Sequence, residues 1–283
     1  MISRFENQAV TFELKRRWLS YRVLMICVLC EIALLLMEYF LNFTKGIETD
    51  YVREIFDLAE DHGLAGWFAV IQTFMVGITL LLIFGVSKHL GHNFFTGFAW
   101  LLLAAFFIYM SADDAAMIHE SLGCAFGDSQ EANPPAPDSF MAKVYDVFPS
   151  YNWQFAILPF FVALGIFMVC FLWVQTDIKQ KWMMVIAVGS MAFAIALDFV
   201  DGMDEDHPYN LMRIAIETWD IDGFTLRHYN EIAWDALEQW SMALEETLEM
   251  FSITLFWVTF LSKLEDMVSD LTFRFEIEDS AQK

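Results

Sequence analysis

Positive charge is scarce in this 283-residue chain: 16 Lys and Arg stand against 38 Asp and Glu, a net charge of −22. Such a surface repels a phosphate backbone, so nucleic acid is excluded as a partner. Charge of either sign is sparse, at 19% of residues, below the roughly 25% of an ordinary soluble domain. Four cysteines are too few for a secreted disulfide scaffold. Cys27, Cys30 and Cys170 lie in apolar runs and read as packing residues, the Cys27-x-x-Cys30 spacing included. The N-terminus is polar and mixed in charge, with no small-residue cleavage site after the first apolar run, so no signal peptide is expected. No internal repeat and no soluble domain is visible.

Apolar sequence is abundant instead. Hydrophobic residues make up 57% of the chain and aromatics 17%, led by 29 Phe. Six apolar runs are long enough to cross about 30 Å of hydrocarbon. They cover approximately 21–41, 64–86, 94–112, 151–174, 182–200 and 242–261. The expected fold is therefore all-α, a single integral membrane bundle of six transmembrane helices. Trp18, Trp67, Trp153, Trp182 and Trp257 fall in or near interface positions.

The distribution of Lys and Arg orients the spans. Arg4, Lys15, Arg16, Arg17, Arg22, Lys88, Lys179, Lys181, Lys263, Arg274 and Lys283 lie on one side. Lys45, Arg53, Lys143, Arg213 and Arg227 lie on the other. Both termini are thus expected in the cytoplasm, and loops 42–63, 121–150 and 202–230 outside. The expected setting is a bacterial inner membrane.

The outer loops are acidic. The first carries Glu48, Asp50, Glu54, Asp57, Glu60 and Asp61 and is expected to form a short helix. Its Asn42-Phe43-Thr44 matches a glycosylation sequon, which carries no meaning in a bacterium. Asn133-Pro134-Pro135-Ala136-Pro137 predicts an irregular cap, and Asp204-Glu205-Asp206-His207-Pro208 a turn. The tail 263–283 reads as a helix end followed by a polar terminus.

Carboxylates occur where lipid should be, which marks function by default. Glu31 and Glu38 lie in span 1, Asp113, Asp114, His119 and Glu120 close span 3, Asp198 and Asp201 end span 5, and Glu245, Glu246 and Glu249 open span 6. Given the orientation, four helices bring acids to the outer leaflet. On ideal helices Glu31 and Glu38 share a face, as do Asp113 and Glu120, and Asp198, Asp201 and Glu205. A stripe Glu231, Asp235, Glu238, Glu245, Glu249 predicts one long helix starting near Asn230 as N-cap. His119 lies about 120° off the Asp113 face and joins it only if the helix loosens.

No Lys or Arg sits at that depth, so the acids must bind metal, share protons or face water. The plain alternatives are a water interface for Asp113, Asp114 and Glu120, snorkelling for Glu38, and solvated loop charge for Asp201 and 204–206. The first reading is an outward-facing metal site. Asp113, Asp114, His119, Glu120, Glu245, Glu246 and Glu249 would be ligands, with Glu31, Glu38, Asp198 and Asp201 as supporting or proton-relay groups. Fe, Mn, Zn, Ca or Mg are the divalent ions considered, and a bound ion could activate water against a lipid or hydrophobic substrate. The absence of a Glu-x-x-His pair counts against a ferritin-like di-iron centre. A second reading is proton or cation relay, against which the cytoplasmic half lacks matching acids. A third is an accessory subunit, since Phe- and Met-rich faces suit a homo-oligomer or membrane partner subunits. The sequence names no reaction.

The Asp113-Asp114-x4-His119-Glu120 run, followed by Glu245-Glu246-x2-Glu249, resembles uncharacterised prokaryotic multi-pass membrane proteins. In those an Asp-Glu-x4-His-Glu run closes one span; here Asp114 replaces the Glu. The resemblance implies that the two motifs act together and is silent on substrate. Seven-span hydrolases with Ser, Asp and three His ligands match less well, because span 6 contains no His.

Overall fold

The computed structural model describes residues 10–14, 18–47, 49–60, 62–136, 138–268 and 271–275. Glu48, Asp61, Pro137, Arg4, Lys15, Arg16, Arg17 and Lys283 lie outside them. In order, the elements are β1 (Val10–Leu14), α1 (Trp18–Met37), a π-helical continuation (Glu38–Phe43), α2 (Asp50–Glu54), α3 (Leu64–His89) and α4 (Phe94–Ala116). Then come α5 (Ile118–Ala132), α6 (Phe140–Asp146), α7 (Asn152–Ala156), α8 (Leu158–Gln175) and α9 (Ile178–Asp201). The chain ends with α10 (Leu211–Thr218), α11 (Ile221–His228), α12 (Ala233–Met267) and β2 (Leu271–Phe275).

Six helices are long and apolar enough to cross a membrane: Trp18–Phe43, α3, α4, α8, α9 and α12. The helical expectation needs one amendment. β1 pairs antiparallel with β2, Val10 opposite Phe275 through Leu14 opposite Leu271. The tail expected to be a helix end thus passes into a strand after Met267. This ribbon puts the start of α1 and the end of α12 on the same, proximal face. The spans alternate, so the ends of α1, α4 and α9 and the start of α12 share the distal face.

α12 is the axis of the bundle. Its 35 residues, at about 1.5 Å each, reach roughly 52 Å, well beyond a bilayer core. It packs against α9, α3 and α1. Met250, Ser252, Ile253, Thr254, Leu255, Phe256, Val258, Thr259, Phe260, Leu261, Ser262 and Leu264 are all buried, so this stretch is enclosed on every side. α8 is its opposite, with only Met168 and Leu172 buried.

Helices in lipid gain little from the hydrophobic effect and rely on close packing and polar ties. Trp100, Phe107, Phe256 and Phe260 interlock edge to face with Leu80, Ile83 and Leu103 around them. Ser111 Oγ donates to Val70 O (2.9 Å), Ser252 Oγ to Ala187 O (2.8 Å), and Trp257 Nε1 to Thr79 Oγ1 (3.1 Å). Trp257 therefore serves inside the bundle, not at the interface its position suggested. At the proximal end Glu265 Oε1 accepts the Leu19 amide (3.0 Å), supplying one partner to the otherwise orphaned start of α1.

Two helix starts differ from expectation. Asn230 does not cap α12; it adopts a left-handed φ of 57°, and Ile232 is the N-cap. The cap comes from elsewhere, because Asp222 Oδ1 accepts the Ala233 amide (3.0 Å). Glu231 accordingly leaves the α12 stripe and pairs with Lys45 (2.9 Å). The fourth apolar run is two helices, α7 and α8. Pro159, in the first turn of α8, lacks an amide hydrogen to continue the ladder from α7.

Candidate functional site

The site begins with a break. Met117 takes the left-handed conformation (φ 50°, ψ 44°), ending α4 and starting α5. A non-glycine residue rarely does so. Asp113 and Glu120 therefore do not share a helical face as expected. Instead the turn swings His119 back onto Asp113. His119 Nδ1 lies 2.8 Å from Asp113 Oδ2, and the His119 amide donates to Asp113 Oδ1 (2.8 Å). Tyr109 Oη donates to the same oxygen (3.4 Å). Asp113 is fully buried, 0% exposed.

Burial alone would lower the His119 imidazole. The hydrogen bond and charge of Asp113, with the charges of Glu120 and Asp114, outweigh it and hold the group above its ordinary value. Nδ1 is committed to Asp113, so Nε2 is the nitrogen left for exchange.

Across the site lies α9. Asp198 accepts from Gln154 Nε2 (2.6 Å) and from the Trp153 side chain, and lies within electrostatic range of His119 and Glu120. Asp201 interacts with Asp198 and with Glu238 of α12. Both Asp201 oxygens are shielded from water without a hydrogen bond of normal geometry, although the Ser241 side chain is directed toward them. Glu245 interacts with Asp198, Glu249, Glu246 and Asp201. The acids of α9 and α12 thus lie together, with His119 and Glu120 of α5 in electrostatic range of Asp198.

Sequence reading missed the third wall, residues 150–156. Trp153 stacks edge-on to His119 with ring centroids 4.7 Å apart. Ser150 Oγ donates to Phe199 O (2.9 Å). Tyr151 lies within electrostatic range of the acids: burial raises its phenol, and Asp198, Asp201, Glu245 and Glu238 add to the effect. Two glycines make room for this segment. A Cβ on Gly123 would meet the Trp153 backbone nitrogen at 2.7 Å, and one on Gly202 would meet Ser150 Oγ at 2.4 Å. Those glycines were the available signal. We expect Gly123→Ala to cost about 1–3 kcal/mol through overpacking. Thermal unfolding in detergent, with the near-UV dichroism of Trp153, checks it.

The acids of span 1 stand apart from this group. Glu38 is buried (1% exposed), so it does not snorkel. It accepts from Asn42 Nδ2 (2.7 Å), the Leu58 amide (3.0 Å) and Gln239 Nε2 (3.0 Å). Glu31 meets Gln72 and Thr254. For metal the geometry is unfavourable. Among the described residues no three of His, Cys, Asp and Glu converge closely enough to hold an ion.

Fold and site define a helical membrane-spanning protein with a half-buried His119 paired to a buried Asp113, facing carboxylates at one end. Residues 22–264 match the model of a family described as a domain of unknown function (DUF8692), and the chain belongs to that family. No curated protein and no solved structure matches it.

Proposed function

We propose that this is a proton-handling membrane protein. On this reading His119 exchanges protons between water at the distal face and the carboxylates of α9 and α12. The observation that carries it is the His119–Asp113 pair, made by the break at Met117 and set against Asp198. His119 Nε2 takes a proton from water, Asp113 stabilises the imidazolium, and the proton passes to Asp198, restoring the neutral ring. Asp201 and Glu245 extend the cluster along α9 and α12. The proximal half is filled by the apolar core around Trp100 and Phe260, which favours exchange from one face over conduction through the bundle. The excess of Lys and Arg on the terminal side favours a site facing the outside of a bacterial inner membrane.

The test is a pH jump from about pH 8 to about pH 6 on oriented proteoliposomes with a pH dye on the distal side. We expect rapid proton uptake, slowed roughly tenfold or more in His119→Gln. Uptake at an unchanged rate in that variant would refute the proposal. Elemental analysis of the same samples reads the metal alternative directly: near-stoichiometric metal lost in Glu245→Gln would replace proton exchange with metal chemistry.

A further inference from the structure

Two adjacent residues of α7 bridge the distal site. Trp153 meets His119 of α5, and Gln154 meets Asp198 of α9. The bridge is seated first on α5, which packs against α7. Gly123 lies four residues after His119, on the same side of that helix. A Cβ there would meet the Trp153 nitrogen and Cβ at 2.7 Å and its Cα at 2.9 Å, so the Trp153 backbone rests directly on the glycine. One turn earlier the indole meets the imidazole, with ring centroids 4.7 Å apart and planes at 72°. Asp113 Oδ2 already lies 2.8 Å from Nδ1 of that imidazole. The ring is therefore held at one nitrogen and closed on one side, while Nε2 stays available.

The other end of the bridge is fixed on α9. Gln154 Nε2 donates to Asp198 Oδ2 (2.6 Å), and the Trp153 indole N–H is directed to the same residue. Gln154 is only 2% exposed, and its Oε1 is buried with no hydrogen-bond partner. A buried acceptor without a donor is a cost that calls for an explanation. An apolar residue would fill this space without that cost, but it could not hold the carboxylate. Trp153 likewise belongs to neither apolar cluster of the bundle.

Proton transfer depends steeply on such placement. Donor and acceptor must approach to about 2.6–3.2 Å or share one water. A misplacement of about 1 Å can cost roughly a hundredfold in rate. His119 and Asp198 stand on different helices, and a single dipeptide touches both.

We propose that Trp153 and Gln154 are positioning residues that hold His119 and Asp198 in register for proton exchange, an inference that rests on the proton-handling reading above. The proteoliposome pH jump tests it on variants of the full chain. Trp153→Leu keeps apolar bulk and loses the ring, and is expected to slow uptake roughly tenfold or more. Trp153→Phe returns an aromatic ring to His119 while Gln154 still holds Asp198, and stays within about threefold of wild type. Gln154→Met is close in volume and has no donor. It slows uptake about tenfold and carries the test should Trp153→Leu fail to fold. Residues that served packing alone would lower Tm in these variants and leave the uptake rate unchanged. Wild-type uptake in whichever of Trp153→Leu and Gln154→Met fold, or equal slowing in Trp153→Leu and Trp153→Phe, would overturn the proposal. His119→Gln keeps the two readings apart. Unchanged uptake in that variant removes the proton-handling role itself, whereas slowed uptake there beside normal uptake in the α7 variants removes only this inference.

Discussion

Replacing Asp113 by alanine is expected to be the most damaging single change in the distal site, costing about 3–5 kcal/mol. Three donors converge on this carboxylate: the His119 ring, the His119 amide and Tyr109 Oη. It is fully enclosed, so water cannot replace it. Loss of the carboxylate also removes what holds α5 against α4 past the left-handed Met117. Asp113→Asn is the more informative variant, because it keeps the shape and deletes the charge. In the wild-type protein His119 is held above its ordinary value. Its contribution to stability is therefore complete below about pH 6.5, the usual histidine value, and is lost as pH rises through the higher folded-state value. Asp113→Asn should flatten that decline. Denaturant unfolding across this pH range checks it, and an equal slope in both proteins would mean that the pair is not coupled to folding.

Much of the architecture was legible because it rests on local composition. Runs of about 20 apolar residues in water-averse sequence leave few options but spanning helices. The acids stood out for the same reason, since a carboxylate inside such a run is anomalous without knowledge of its neighbours. The excess length of α12 was legible too, because its acidic stripe continued the helical period beyond the apolar run.

What failed was what depends on partners far away in sequence. Methionine carries no signal for a left-handed turn, so the break at Met117 was invisible and Asp113 was aligned with Glu120 instead of His119. Asn230 has the right chemistry for a cap, but Asp222 from the preceding helix fills that role, and Asn230 is used for the left-handed turn it tolerates. Gln72 and Thr254 look neutral within their apolar runs. Their meaning appears only when contacts across 41 and 223 residues bring both onto Glu31. The 150–156 wall was absorbed into the fourth apolar run. Only the glycines it packs against, Gly123 and Gly202, distinguished it from lipid-facing sequence.

The second large effect is expected at Glu38, where a snorkelling side chain and a structural one differ sharply. A surface glutamate would change stability by no more than about 0.5 kcal/mol when replaced. Glu38 instead gathers Asn42, the Leu58 amide and Gln239 onto one carboxylate. Those three bonds tie the first distal loop to α1 and α12 together. Leu58, beside the bonded amide, is only 2% exposed and packs with Leu34, Ala65, Ala243 and Met250. Glu38→Ala leaves the buried Asn42 and Leu58 donors and the half-buried Gln239 amide unpaired, at about 1–3 kcal/mol for each buried donor before any relaxation. The expected loss is therefore several kcal/mol, reduced by as much water as the loop admits when it lifts. Glu38→Gln retains one acceptor but turns an amide N–H₂ toward the donors, so it should fall between wild type and alanine. The diagnostic readouts are local. The Leu58 amide should exchange hydrogen far faster in Glu38→Ala, and trypsin should cut at Arg53 while the spans stay intact. Slow exchange at Leu58 in that variant would show that apolar packing alone holds the loop and that the carboxylate is free for other work.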